Sequence, residues 1–116
     1  MKIETVKTVK GELSHCIMDE NEIVCTISEF LDLIMSCPTN TIVIPRANIT
    51  EDFFRLKTGV AGEFLQKISN YRKRLVILGH YQAEKSKPLN DFIYESNKNG
   101  QVVFAQDINS AIELLK

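Results

Sequence analysis

Three short apolar runs constrain this chain more than anything else in it: "TIVIP" at 41–45, "RLVILG" at 74–79 and "QVVFA" at 101–105. Each is short, rich in β-branched residues and free of polar alternation, which is the pattern of a strand covered on both faces. Segments with helical spacing lie between them. Strands of this kind alternating with helices predict right-handed crossovers into a mainly parallel sheet.

Ahead of the first run, "KIETVKTV" and "ELSHCIMD" read as two further strands, and the intervening "KGE" supplies the glycine of a tight hairpin turn. That antiparallel pair makes the sheet mixed. Ser28 is the expected cap of "SEFLDLIMS", where Phe30, Leu33 and Ile34 repeat at helical spacing, Glu29 and Asp32 sit toward the positive end, and Pro38 follows as a stop. Thr50 caps a short acidic turn, and a longer helix is expected from about Gly59 to Arg72, with Val60, Ala61, Phe64, Leu65, Ile68 and Tyr71 on its apolar side. Ser86 and Pro88 open "KPLNDFIYESNKN", Gly100 suits its reversal, and Asp107 caps "INSAIELLK". The order is β-β-α-β-α-β-α-β-α, one α/β domain over residues 1–116 with a mixed, mainly parallel sheet flanked by helices.

The 14 basic and 15 acidic residues leave a formal charge of −1, which provides no overall field for nucleic acid or an anionic membrane. Neither is expected as a partner. No apolar run approaches the roughly 20 residues of a membrane span, and the first residues lack the unbroken apolar segment of a signal peptide, so a cytoplasmic location is expected. Cys16, Cys25 and Cys37 are odd in number and contain no Cys-x-x-Cys pair. They indicate neither a disulfide framework nor a thiolate zinc site, and read as buried or half-buried small apolar residues.

In parallel sheets, sites gather beyond the carboxyl ends of the strands, here "PRANITEDFF" with "RLKTG", "HYQAEKSK" and "AQD". Lys57, Thr58 and Gly59, with Arg55 nearby, place cations beside the free amides of a helix start, a combination that suits a phosphate or carboxylate. The alternative is structural: Thr58 caps the helix while Gly59 and Gly62 let it approach a neighbour closely. The segment is not a P-loop, because Lys57 precedes both glycines. Thr50, Asp52, Phe53 and Phe54 form a candidate partner surface, with burial expected for one of the two aromatics rather than both. Glu51 and Asp52 are adjacent and do not face one another as an acid and base pair would. Arg72, Lys73 and Arg74 read as complements to a helix dipole, and Lys85 and Lys87 as a flexible basic loop. His80 and Tyr81 sit at the crevice rim without a third ligand at metal spacing, so no metal site, cofactor or catalytic constellation is expected.

"NITEDFFRLKTGVAGEFLQKISNYRKRLVILG" followed by "LNDFIYESNKNGQVVF" resembles the bacterial family known as domain of unknown function 4180, which implies no particular reaction. The element order is similar, more distantly, to the STAS domains of anti-sigma factor antagonists, in which a phosphorylatable Ser or Thr opens the helix after a central strand. That resemblance puts Thr58 in the acceptor position. Lys57 replaces the usual preceding Asp, and "RANITEDFFRL" separates strand from helix. The resulting expectation is a small regulatory or protein-interaction domain with a protein partner at Thr50 to Gly62. The alternative is a ligand binder or enzyme using Lys57, Arg55 and His80, and self-association through a sheet edge or Phe53 and Phe54 is a third route.

Overall fold

The computed structural model describes residues 1–116. Strand β1 (Lys2–Thr8) turns back on β2 (Gly11–Ile17) as an antiparallel hairpin in which Thr8 faces Gly11. Gly11 has φ of 99°, the left-handed region where a side chain is disfavoured. Strands β3 (Thr41–Pro45), β4 (Arg74–Leu78) and β5 (Val102–Ala105) follow in spatial order β1-β2-β3-β4-β5, each parallel to the one before. The connections are helices α1 (Ile27–Ser36), α2 (Glu51–Phe54), α3 (Val60–Asn70) and α4 (Lys87–Asn99), and α5 (Ile108–Leu114) closes the order. The chain is a mixed, mostly parallel α/β sheet flanked by helices.

Both faces of the sheet are covered, which is why its central strands are apolar throughout. Ile42, Ile44, Leu75, Ile77, Val102 and Phe104 join Phe30 and Ile34 of α1, Phe64 and Ile68 of α3, and Leu89 and Ile93 of α4 in one cluster. The alternate residues Val43, Val76, Val103 and Ala105 pack with Leu13 and with Ala111 and Leu115 around α5. Phe30 and Phe64 stack with centroids 4.4 Å apart, fixing α1 against α3. Beyond β5, the side chain of Asn97 accepts from the Phe104 amide at 2.7 Å and donates to its carbonyl at 3.1 Å. That edge of the sheet is occupied by α4 itself.

Several local expectations need correction. Helix α1 is capped by Thr26, not Ser28: Thr26 accepts from the Glu29 amide at 3.1 Å while Glu29 accepts from the Thr26 amide at 3.0 Å, a capping box that starts the helix earlier. Helix α3 ends at Asn70, because Arg72 takes φ of 55° and Lys73 donates back to the Ile68 carbonyl, reversing the chain. Tyr71 lies past that end and is 46% exposed. Cys25 is exposed, whereas Cys16 and Cys37 are buried. Thr50, Ser86 and Asp107 do cap the helices that follow them.

Candidate functional site

At the carboxyl ends of β3 and β4 a cleft of about 530 Å³ opens between the α2 segment and the start of α4. Arg46, the first residue after β3, forms its inner wall. Its guanidinium carbon lies 4.3 Å from the Phe54 ring centre and 5.0 Å from that of Tyr81, and Nη2 is 3.3 Å from Glu84 Oε2. Gly79 makes this position available: a Cβ there would fall 2.9 Å from Arg46 Cβ and 3.1 Å from its Cδ. The close approach beside this cleft is therefore at Gly79. Gly59 and Gly62 have no neighbouring atom within 4 Å of a would-be Cβ, contrary to the expectation of tight helix packing there.

Opposite Arg46, Ser86 caps α4 by accepting from the Leu89 amide at 3.3 Å, and its own amide donates to Glu84 Oε1 at 3.2 Å. The Ser86 amide, together with the hydrogen bond and charge of Arg46, holds the Glu84 carboxyl below its ordinary range. Burial pushes the Tyr81 phenol up, with Arg46 opposing, and the phenol donates to the Ile77 carbonyl at 3.0 Å. Tyr81 thus stays neutral and serves as a wall behind Arg46.

Arg55, Lys57 and Thr58 line the outer lip of the same cleft, with Phe54, Leu56 and Leu89 among its apolar lining. The structure brings these three polar residues together as the sequence suggests, but it gives Thr58 a different local role. Its Oγ1 donates to the carbonyls of Asp52 and Arg55 at 2.6 and 2.9 Å, sharing one hydrogen, and accepts from the Val60 amide at 3.2 Å. The hydroxyl ties the end of α2 to the beginning of α3. The N-cap of α3 is Gly59, at φ of 79°, rather than Thr58.

Phe53 and Phe54 are both buried, at 0% and 6% exposure, correcting the expectation that only one would be. Their edge-on contact at 4.9 Å leaves Phe53 in the core against Phe64 and turns Phe54 toward Arg46. Thr50 accepts from the Asp52 amide, and exposed Asp52 stands 3.7 Å from Arg55. His80 is exposed and does not line the cleft. No group of three or more His, Cys, Asp or Glu side chains gathers at metal-binding distance.

Arg46, Gly79, Glu84 and Ser86 carry much of this geometry and were not singled out as site residues by the sequence. The available signal was a lone Arg directly after an apolar strand, at a carboxyl end. No spacing rule links position 46 to position 84, since their contact spans a crossover of the chain.

The family model described as "Domain of unknown function (DUF4180)" matches residues 10–115. The chain belongs to this family. The DUF4180 match contains every residue of the cleft, so the site lies within the family domain and not in an added segment. No curated protein and no solved structure matches the chain. No helix of this DUF4180 domain is long and apolar enough to cross a membrane.

Proposed function

We propose that this cytoplasmic DUF4180 domain binds a small molecule with an anionic head and an apolar body in the strand-end cleft. The observation that carries the reading is the convergence of Arg46, Arg55 and Lys57 on a 530 Å³ cleft whose lining also includes Phe54, Leu56 and Leu89. Arg46 pairs with Glu84 and Arg55 stands 3.7 Å from Asp52, so among the lining cations Lys57 is the one without a salt-bridge partner. The N-terminus of α4, capped by Ser86, adds the positive end of a helix dipole on the same side. Small-ligand sites combine an apolar lining with a few convergent polar groups in this way.

A thermal-shift titration with phenyl phosphate and benzoate, against inorganic phosphate and benzene as half-ligands, tests it. The expected outcome is saturable stabilisation by an aromatic anion exceeding that by either half, reduced at least about tenfold in apparent affinity by Arg55→Ala/Lys57→Ala. Equal responses of wild type and the double variant would sink the proposal.

The exposure of Thr58 beside Lys57 and Arg55 supports a second, regulatory reading, in which Thr58 accepts a phosphoryl group and a protein partner recognises Thr50 to Gly62. A phosphate there would add about −1.5 to −2 charges near two cations. Its hydroxyl would first have to leave the Asp52 and Arg55 carbonyls. Incubation of wild type and Thr58→Ala with bacterial lysate and ATP decides it: equal phosphate incorporation removes Thr58 from the account.

A further inference from the structure

We infer that Cys16 and Cys37 form an oxidisable dithiol, a modification site at which a peroxide closes an intramolecular disulfide. The two sulfurs lie 3.7 Å apart, one from β2 and the other from the residue that ends α1. They are 21 positions apart in sequence and meet only because α1 packs across the sheet. The remaining displacement to a bonded pair is under about 2 Å. Cys37 can supply it, because it sits at the helix C-cap with extended backbone (φ −81°, ψ 132°) and leads into the loop 38–40 rather than lying inside the helix.

Both cysteines belong to the main apolar cluster, and a pair of hydroxyls adjoins them. Ser14, fully buried beside the pair, shares a hydrogen bond of 2.7 Å with Thr39 Oγ1, so one hydroxyl pair borders the sulfurs. Cys37 retains 6% exposure while Cys16 has none. The hydrogen bond from Cys16 lowers the Cys37 thiol to about 7 against the opposing effect of burial, with Ser14 and then Lys73 adding to the lowering. The same hydrogen bond and its own burial push Cys16 up. Cys37, the one of the two with any exposure, is the sulfur a peroxide reaches first, once its thiol leaves the Leu33 carbonyl 3.4 Å away.

The chemistry balances with one peroxide. The Cys37 thiolate attacks a peroxide oxygen, the O–O bond breaks, and the departing hydroxide takes up the thiol proton as water, leaving a sulfenic acid. The Cys16 sulfur then attacks the Cys37 sulfur, the S–O bond breaks, and a second water leaves with the Cys16 proton. Two thiols are oxidised to one disulfide and the peroxide is reduced to two waters. The product staples β2 to the end of α1. Cys25, exposed and distant in role, has no partner sulfur and serves as an internal control.

The test treats the folded wild-type protein with hydrogen peroxide, blocks remaining thiols with iodoacetamide in denaturant, and cleaves with glutamyl endopeptidase. Glu20, Glu22 and Glu29 separate the three cysteines onto different peptides. The expected product is a Cys16–Cys37 linked peptide about 2 Da lighter than the sum of its parts, reversed by dithiothreitol, in large excess over links to Cys25. The urea-unfolded chain should instead give all three pairings. In Cys16→Ser, Cys37 should accumulate oxygen adducts with no link to Cys25. A folded wild type that keeps both thiols, stops at oxygenated Cys37, or links Cys25 as readily as Cys37 overturns the inference.

Discussion

Arg46 lies over Phe54, its guanidinium carbon 4.3 Å from the ring centre, and the Gly79 backbone passes close enough behind it that no side chain fits between. The nearest atom to a Cβ at Gly79 would be Arg46 Cβ at 2.9 Å, which is rooted in the backbone and cannot swing away. Gly79→Ala should therefore cost about 1–3 kcal/mol through overpacking and also weaken binding of an aromatic anion in the cleft. Urea unfolding with a midpoint unchanged from wild type would remove Gly79 from this role.

Thr58 ties α2 to α3 through its hydroxyl, so Thr58→Ala should lose about 1 kcal/mol of stability and Thr58→Ser much less, because serine keeps the oxygen. Denaturant curves of the two variants make the comparison. Matching losses would mean that the methyl group, not the hydroxyl, holds the turn.

The capping box at the start of α1 separates two residues that look interchangeable in sequence. Thr26→Ala should destabilise by about 1 kcal/mol, whereas Ser28→Ala, which removes no cap, should stay within about 0.5 kcal/mol of wild type. A larger loss at Ser28 would return the cap to the position the sequence suggests.

Arg72 holds φ of 55° at the reversal after α3, where glycine is the residue that adopts this region without a steric penalty. Arg72→Gly should raise stability by about 1 kcal/mol, visible as an increase in Tm of several degrees. A fall in Tm would show that the arginine side chain contributes more than its backbone strain costs.

Three carboxylates report on acid stability. Backbone amides lower Glu29 (from Cys25, then Thr26), Glu84 (from Ser86, joined by the Arg46 guanidinium) and Asp107 (from Ser110) below their ordinary values. A group lowered in the folded state contributes its full share above its unfolded pKa and loses it as pH falls through the folded one. Stability from these groups should be level from neutral pH to about pH 5 and decline below about pH 4. Asp107→Asn, which keeps a capping oxygen but does not titrate, should make that decline shallower. An unaltered acid slope in Asp107→Asn, measured by urea unfolding across pH, would contradict the assignment.

The strands, the order of elements and most helix starts were legible because they depend on neighbours in sequence. "TIVIP" declares a strand covered on two faces, and Asp107 caps α5 through an amide only three residues away. The lip of the cleft was legible for the same reason: Arg55, Lys57 and Thr58 follow one another. Burial of both Phe53 and Phe54 was not, since it depends on Phe64 and Arg46 arriving from other segments to cover them. Nor was the cap of α1, where two hydroxyl residues compete within three positions and the reciprocal bond with Glu29 selects Thr26.

By itself, then, the sequence determined an α/β chain of alternating covered strands and amphipathic helices, because hydrophobic period and capping are short-range properties of the backbone. Only the tertiary structure decided that Arg46 meets Glu84 and Tyr81, that Gly79 yields space to Arg46, and that Cys16 meets Cys37. Those contacts join residues from about 20 to 40 positions apart. They form when parallel crossovers lay each helix across the sheet, a geometry set by packing as a whole rather than by any local run of residues.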